Sequence, residues 1–225
     1  MAVNKEKYEQ VFRELEQMNV ALVAVSKTKP VEDIRELYDL GHRDFGENYV
    51  QELVDKEALL PKDIYWHFIG HLQSNKVKYI APFVHLIHGV DSPKLLQEIN
   101  KQALKNNRVI DCLLQVFIAQ EETKFGFDEQ ELEILITRIA TNTKEWAGVC
   151  VKGFMGMASF TDDMNMVRKE FQILKKIFDK HAKLLIANCQ MEILSMGMSS
   201  DYKVAIEEGS TMVRIGSLLF GSRNS

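Results

Sequence analysis

The chain has 225 residues, of which 46% are hydrophobic and 27% are charged, and its formal net charge is -4. This composition is typical of a globular protein that is long enough to bury most of its apolar surface without disulfides. The mild negative charge and the absence of a basic stripe predict that the protein binds neither nucleic acid nor an anionic membrane.

The elements begin with an amphipathic helix over residues 5–18, which places Tyr8, Val11, Phe12 and Leu15 on one face. Short apolar runs of strand length then alternate with longer periodic stretches of helix length. The first such unit joins the strand VALVAVS to the helix PVEDIRELYDLG. Each of seven further strands is also followed by a helical stretch. These strands are RDFGEN, IYWHFIG, VHLIHGV, VIDCLLQVFIA, GVCVKGFMGM, MEILSMGM and TMVRIG.

Eight strand–helix units in succession predict parallel strands joined by right-handed crossovers. Several strands, such as CLLQVFI, are apolar on both faces, as in parallel sheets that are covered by helices. The count of eight favours an α/β fold of the (β/α)8 TIM barrel type with an extra N-terminal helix, and an open doubly wound sheet is the alternative. Because no Gly-, Ser- or Pro-rich linker divides the sequence, we expect a single domain over residues 1–225.

Three cysteines, Cys112, Cys150 and Cys189, are widely spaced and lie in or beside apolar runs. We expect buried thiols in a reducing compartment and no metal site, because zinc sites use paired Cys or His ligands at short spacing. The charged N-terminus differs from a signal peptide, and no apolar stretch reaches the ~18 residues that a membrane span needs. A cytoplasmic location is therefore the expectation.

In a barrel of this kind, functional side chains lie at the carboxyl ends of the strands. Because side chains alternate along a strand, Val23, Val25 and Lys27 share one face. If that face points to the barrel axis, the Lys27 amine lies in the mouth and can attack a carbonyl. A solvated strand-end lysine is the commoner alternative, and solvated surface is also the expectation for Lys29. Other polar residues predicted near strand ends are Ser26, Glu47, Asn48, His67, His71, Gln73, His88, Asp91 and Gln120.

The segments after strands seven and eight, GMSSD and IGS, resemble phosphate-binding loops of barrels. The serines and the aspartate suit a helix N-cap, and the glycines permit close approach of a ligand to the backbone. A plain N-cap is the alternative for the serines, and both interpretations can hold together. The residues concerned are Gly197, Ser199, Ser200, Asp201, Gly216 and Ser217.

Arg214 lies inside an apolar strand, on the same face as Met212. A buried arginine needs a partner, which is either an internal carboxylate or a ligand atom in the barrel mouth. An amine, a phosphate site and an arginine in one mouth suggest pyridoxal 5′-phosphate (PLP). Lys27 would form the Schiff base, and Arg214 would face the pyridine nitrogen.

Seven segments carry a resemblance to a known family: AVSKTKP, DFGENYVQE, WHFIGHLQSNKVK, KFGF, KGFMGM, LSMGMSSD and GSTMVRIGSLLFG. From about Leu22 to the C-terminus, the sequence closely resembles the pyridoxal phosphate homeostasis protein family. The resemblance implies a barrel like the N-terminal domain of bacterial alanine racemase, with the cofactor held as an internal aldimine on Lys27 and with Arg214 at the pyridine nitrogen. Asn48 matches a position that resembles a pocket contact. The resemblance also implies a phosphate site near Ser199, Ser200, Gly216 and Ser217.

The role implied by the resemblance is to bind and buffer PLP in vitamin B6 homeostasis, without an established turnover reaction. The alternative is an amino-acid racemase or a weak transaminase-like enzyme, and a third hypothesis is a protein that hands PLP to apo-enzymes. Racemisation needs an acid–base group on each face of the substrate, and the resembled racemases take the second base from a β-rich domain that we expect this chain to lack. His67, His88 or Tyr65 could replace it only if correctly placed, and we expect them to be packed or solvated. An arginine at the pyridine nitrogen also makes a weaker electron sink. We expect a monomer.

Overall fold

Short apolar strands and amphipathic helices alternate along the chain, as the sequence pattern predicts. The computed structural model describes residues 3–119, 125–182 and 186–221. The predicted polar end of strand five, at Gln120, lies outside the described residues. The strands are β1 Ala21–Val25, β2 Asp44–Glu47, β3 Tyr65–Phe68, β4 Leu86–Val90, β5 Ile110–Gln115, β6 Val149–Met155, β7 Cys189–Met198 and β8 Met212–Ile215.

Within the described ranges, these eight strands form a closed barrel in which each strand pairs with the next one along the chain. All the pairings are parallel, and β1 closes the barrel by pairing with β8. In that last pairing, Ala21 lies opposite Met212 and Val23 lies opposite Arg214. The closure confirms the predicted (β/α)8 barrel and is inconsistent with an open sheet.

Helices cover the outside of the barrel and follow the predicted order, with one departure in length. The predicted helix QSNKVKYIAPF is a short 3-10 turn at Ser74–Lys76 that runs into one turn of α-helix. The helices are α1 Lys5–Gln17, α2 Val31–Asp39, α3 Val50–Leu59, α4 Val77–Ile80, α5 Pro93–Lys105, α6 Glu129–Thr141, α7 Met164–His181, α8 Tyr202–Glu207 and α9 Ser217–Phe220. Across the described parts of the chain, no helix is both long enough and apolar enough to cross a membrane.

The N-terminal helix α1 is the predicted extra element, and it packs against α9 at the other end of the chain. It starts at Asn4, whose side chain accepts a hydrogen bond from the Lys7 amide, as N-cap residues do. Leu15 is almost fully buried, whereas Phe12, which the sequence places on the same face, is 38% exposed. Successive helical residues are ~100° apart around the axis. Phe12 therefore lies at the edge of the buried stripe of α1, whereas Val11 lies at its centre.

Apolar side chains form two clusters, one on each face of the barrel wall. The larger cluster lies between the strands and the helices. The smaller cluster contains Val23, Leu86, Leu113, Met155 and Met212. These five residues come from five strands, some of which are not neighbours, so the small cluster fills the barrel interior. Because Val23 faces the interior, alternation directs Val25, the last residue of β1, toward the interior as well.

Burial of α1 predicts a stability contrast between two leucines. Leu15 is 1% exposed and Leu59, at the end of α3, is 65% exposed. We expect Leu15→Ala to lower the free energy of unfolding by about 2–4 kcal/mol, because it removes buried methyl groups and leaves a cavity. We expect Leu59→Ala to change it by less than about 0.5 kcal/mol. Urea denaturation measures both, and equal losses would contradict the packing of α1.

Candidate functional site

Lys27 lies in a turn immediately after β1 and is half-buried. The next residue, Thr28, has a φ of 64°, in the left-handed region that a β-branched residue rarely adopts. Its amide donates a 2.6 Å hydrogen bond to the carboxylate of Glu52 on α3. The unusual backbone at Thr28 is thus fixed from outside the turn, next to the predicted reactive lysine.

A buried ion-pair network holds the other side of the same turn. The Lys56 amine on α3 donates to the Ser26 carbonyl at 2.8 Å and to Glu47 Oε1 at 2.8 Å. It also donates to Glu52 Oε1 at 2.6 Å. The Ser26 hydroxyl donates to Glu47 Oε1 at 2.6 Å, and the Glu47 side chain is fully buried. Lys56 therefore links Ser26, the residue before Lys27, to α3. Glu52, which is paired with Lys56, links Thr28, the residue after Lys27, to the same helix.

The sequence pattern does not reveal this network. Glu47 is a predicted polar strand end, but it faces the helices because it alternates with the interior-facing Gly46, where an added Cβ would meet Val23. Lys56 resembles the surface lysines around it in the sequence. Its i, i+4 spacing from Glu52 is a common surface pattern, so the pattern alone carries no sign of burial.

Arg214 is buried in the barrel interior and is held by oxygen atoms that carry no charge. Its Nη1 donates to the Ser195 carbonyl at 2.9 Å and to Ser195 Oγ at 2.6 Å, and its Nη2 donates to the Gly156 carbonyl at 3.1 Å. Burial lowers the pKa of Arg214 to about 10, and the negative charge of Asp201 opposes this shift. The guanidinium therefore stays protonated at neutral pH. No carboxylate in the described residues pairs with Arg214 directly. The internal carboxylate, which is one of the two partners considered from the sequence, is therefore wrong.

The histidines considered as a second base do not lie in the mouth. His67 and His88 are buried in the interior, where His67 Nδ1 lies 2.9 Å from His88 Nε2. Tyr65 is the first residue of β3, so it lies at the opposite end of the barrel from the mouth, and it is 48% exposed. The expectation that these residues are packed or solvated is confirmed.

The loops after β7 and β8 are joined by a hydrogen bond from the Gly216 amide to Ser199 Oγ, at 3.2 Å. Ser200 and Ser217 are exposed beside this contact. A Cβ on Gly216 would lie 3.2 Å from the Val25 carbonyl, so glycine lets this loop approach the end of β1. The structure thus brings the two predicted phosphate loops together, next to the turn that follows β1.

Of the three residues that the sequence suggests for a helix N-cap, Ser199, Ser200 and Asp201, the structure uses the aspartate. Asp201 is the N-cap residue of α8, and its side chain makes no capping hydrogen bond. Its carboxylate instead accepts from the Met198 amide, because the chain turns back on itself there. Neither Ser199 nor Ser200 is therefore occupied by capping α8.

Asn48 follows β2, and its side-chain oxygen is buried with no hydrogen-bond partner among the described residues. A Cβ on Gly70 would lie only 2.3 Å from the Asn48 carbonyl, so glycine at the end of β3 permits the close approach of these two strand ends. A buried amide oxygen without a partner is costly, and a ligand donor would satisfy it.

Lys29 differs from the solvated residue that the sequence predicts. Its amine donates to the Phe220 carbonyl at 2.8 Å and more weakly to the Gly221 carbonyl at 3.4 Å. It therefore ties the turn after β1 to the last carbonyls of α9, near the phosphate loops.

The chain is similar to proteins whose names or structures refer to PLP. The family described as "Alanine racemase, N-terminal domain" matches residues 4–224. The pyridoxal phosphate homeostasis protein of Aquifex aeolicus is 46% identical over 203 residues, which cover 90% of this chain and 86% of the relative. PipY of Synechococcus elongatus, solved with PLP bound, is 32% identical with a TM-score of 0.86, and the match covers 96% of this chain and 99% of PipY.

A more distant match concerns the fold alone. Alanine racemase from Bartonella henselae, solved with covalently bound pyridoxal phosphate, is 16% identical with a TM-score of 0.69. The match covers 100% of this chain and 62% of the racemase. The predicted likeness of the barrel to the alanine racemase N-terminal domain is confirmed.

The buried network predicts a contrast between two lysines. Lys56→Met keeps most of the apolar stem but leaves the Glu47 carboxylate buried without its charge partner, so we expect a loss of about 3–5 kcal/mol in the free energy of unfolding. Lys62→Met removes the exposed pair with Glu57 and should cost less than about 1 kcal/mol. Urea denaturation of both variants tests this, and similar losses would show that the Lys56 network adds little.

Glu47 also predicts a pH dependence. Burial, opposed by the charge and hydrogen bond of Lys56, raises the pKa of Glu47 to about 7 from an ordinary value of 4.5. Because the folded state then binds the proton more tightly than the unfolded state, the contribution of Glu47 is most favourable below pH 4.5 and is lost as the pH rises through about 7. The stability of the native protein relative to Glu47→Gln should therefore fall between these pH values in urea titrations. A rise would mean that Lys56 dominates and that the folded pKa is depressed.

Proposed function

Because the chain belongs to the pyridoxal phosphate homeostasis protein family, we propose that it binds PLP through Lys27 and takes part in intracellular vitamin B6 homeostasis. The observation that carries the proposal is the convergence of three features at one end of the barrel. Lys27 follows β1, the joined loops of Ser199 and Gly216 follow β7 and β8, and Arg214 lies within β8. These features match the aldehyde, the phosphate and the ring nitrogen of PLP.

The covalent attachment is assigned to the Lys27 amine. Condensation of this amine with the PLP aldehyde forms a Schiff base and releases one water molecule. The turn that carries Lys27 is fixed by Lys56 and Glu52, which supports a lysine held in one place rather than a mobile surface side chain. The place of Lys27 just beyond β1, at the carboxyl end of the barrel strands, supports the same role.

The remaining predicted contacts fit the polar ends of the ligand. Ser199, Ser200, Gly216 and Ser217 offer hydroxyl and amide groups for the phosphate, and the Ser199–Gly216 hydrogen bond already holds the two loops together. The unpartnered Asn48 oxygen fits a ligand donor in the mouth.

Arg214 favours a binding role over broad amino-acid chemistry. Bound PLP supplies an electron sink whose strength depends on protonation of its ring nitrogen. The Arg214 guanidinium is charged at neutral pH and can only donate, so it favours an unprotonated nitrogen and a weaker sink. The burial of His67 and His88 away from the mouth removes two of the candidates for a second acid–base group.

We extend the proposal to the setting in which the protein acts. We propose a cytoplasmic monomer that hands PLP to apo-enzymes. The three cysteines are free and buried, as is usual in a reducing compartment. The large apolar side chains that are exposed in the described residues are spread over many elements rather than collected on one helix face, which supports a monomer.

The proposal predicts a single lysine adduct. The protein incubated with PLP should show a visible absorption band that disappears on borohydride reduction, and mass spectrometry should place the reduced adduct on Lys27. Lys27→Ala should lack both the band and the adduct. Lys29→Arg is the matched control, because it removes the neighbouring amine while keeping a donor for the Phe220 carbonyl. An adduct on Lys29, or a wild-type protein that stays colourless and unmodified, would contradict the proposal.

A further inference from the structure

A row of hydrogen bonds runs through the barrel interior and ends on Arg214. Asp44 Oδ1 lies 3.0 Å from His67 Nε2, and His67 Nδ1 lies 2.9 Å from His88 Nε2. His88 Nδ1 lies 3.2 Å from Ser195 Oγ, which in turn accepts from Arg214 Nη1 at 2.6 Å. We name these five residues the interior chain. The proposed function uses Arg214 but assigns no role to the other four.

The interior chain connects the two ends of the barrel. Asp44 is the first residue of β2, at the end opposite the mouth, and its side chain is 37% exposed. Ser195 and His88 are fully buried, and His67 is 1% exposed. Because β4 and β7 are not neighbours in the barrel, the contact between His88 and Ser195 crosses the interior. Four hydrogen bonds therefore join a solvent-accessible carboxylate to the buried arginine.

Donor and acceptor capacities fix the direction of these bonds. An ionised Asp44 can only accept, so His67 donates through Nε2. A neutral His67 then accepts at Nδ1 from the Nε2 hydrogen of His88, and His88 accepts at Nδ1 from the Ser195 hydroxyl. Ser195 Oγ keeps a lone pair for Arg214, which can only donate. One arrangement of hydrogens thus satisfies every member of the chain, with both histidines neutral and protonated on Nε2.

The electrostatics of the interior agree with this arrangement. Burial, assisted by the positive charge of Arg214, holds the pKa of His88 well below 6.5. Burial alone would raise the pKa of Asp44, but the hydrogen bond that His67 donates lowers it below its ordinary value. The chain therefore places its negative charge at the outer end and its positive charge at the inner end.

We propose that Asp44, His67, His88 and Ser195 are positioning residues that orient the Arg214 guanidinium through a one-directional hydrogen-bond chain anchored at the far end of the barrel. If the chain reversed, His88 Nδ1 would donate to the second lone pair of Ser195 Oγ, and the Ser195 hydroxyl hydrogen would lose its acceptor on His88. A change at Asp44 then alters the orientation of the Arg214 guanidinium, although the two residues are not in direct contact. The orientation of the guanidinium is a property of the protein alone, and its effect on PLP rests on the proposed function.

The first arm of the test uses the ligand-free protein. Long-range ¹H–¹⁵N spectra report which ring nitrogen of each histidine carries the hydrogen, and His67→Gln and His88→Gln identify the two signals. We expect both rings in the native protein to be neutral at pH 7.5 and protonated on Nε2. A ring that is protonated on Nδ1, or on both nitrogens, would overturn the direction of the chain.

The second arm asks whether the far end acts on Arg214. Asp44→Asn keeps the shape of the side chain but removes the charge and adds a possible donor, so it permits the reversed direction. We expect it to give a second tautomer at His67 and His88 and to shift the ¹⁵Nη signals of Arg214, which Arg214→Lys identifies. Asp39→Asn, at the exposed end of α2, makes the same charge change outside the chain and should move none of these signals. Unchanged Arg214 signals in Asp44→Asn would overturn the proposal, as would equal shifts in Asp39→Asn.

The third arm measures the consequence for ligand binding. Ser195→Ala removes the hydroxyl that accepts from Arg214 and should weaken PLP binding roughly tenfold, with a shifted visible band, because the lost bond involves a charged donor. Asp44→Asn should shift the band in the same direction and by less, and Asp39→Asn should leave it unchanged. Native affinity and spectrum in Ser195→Ala would overturn the link to the ligand. If the native protein fails to bind PLP, the proposed function fails, while the first two arms still decide whether the chain orients Arg214.

Discussion

Pairing of the first strand with the last is the constraint on which the rest of the structure depends. β1 and β8 are separated by almost the whole chain, yet their hydrogen bonds set Val23 opposite Arg214 and bring Gly216 against Val25. The lysine that follows β1 and the phosphate loop that follows β8 therefore share one rim. Contacts that involve the ends of the chain reinforce the closure, since Lys29 binds the last carbonyls of α9 and the Asn4 amide donates to the Leu219 carbonyl, also on α9.

The barrel buries two charged groups whose solvation differs. Lys56 is neutralised by carboxylates and fixes a turn, so its burial is supported by direct ion pairs. Arg214 is held by carbonyl and hydroxyl dipoles and by the more distant charge of Asp201, which leaves its pKa at about 10. A cation held in this way keeps its charge unneutralised by direct contact, and it remains suited to an electron-rich ligand atom. Lys56 fixes the backbone around Lys27, and Arg214 supplies a charged hydrogen-bond donor inside the barrel.

The fold follows from the sequence because its signals are local and repeated. Each strand and most of the helices carry their own periodicity, and eight repeats leave few arrangements other than a closed barrel. The interior position of Arg214 follows from alternation along β8, whereas Lys27 lies in a turn beyond the end of β1, where alternation no longer applies. The partners of these residues do not follow from alternation, because Lys56 and Ser195 act through contacts between segments that are distant in the sequence. In the sequence, Ser195 is simply one polar residue in a strand. Its hydrogen bond with His88, 107 positions away, depends on barrel closure.

A structure of the protein with PLP bound would show most directly whether one rim of the barrel holds the ligand at three points. We expect continuous density from Lys27 Nζ to the ligand, the ring nitrogen within hydrogen-bonding distance of Arg214, and the phosphate between the Ser199 and Gly216 loops. A ligand attached to another lysine, or a phosphate placed away from these two loops, would contradict the proposed site.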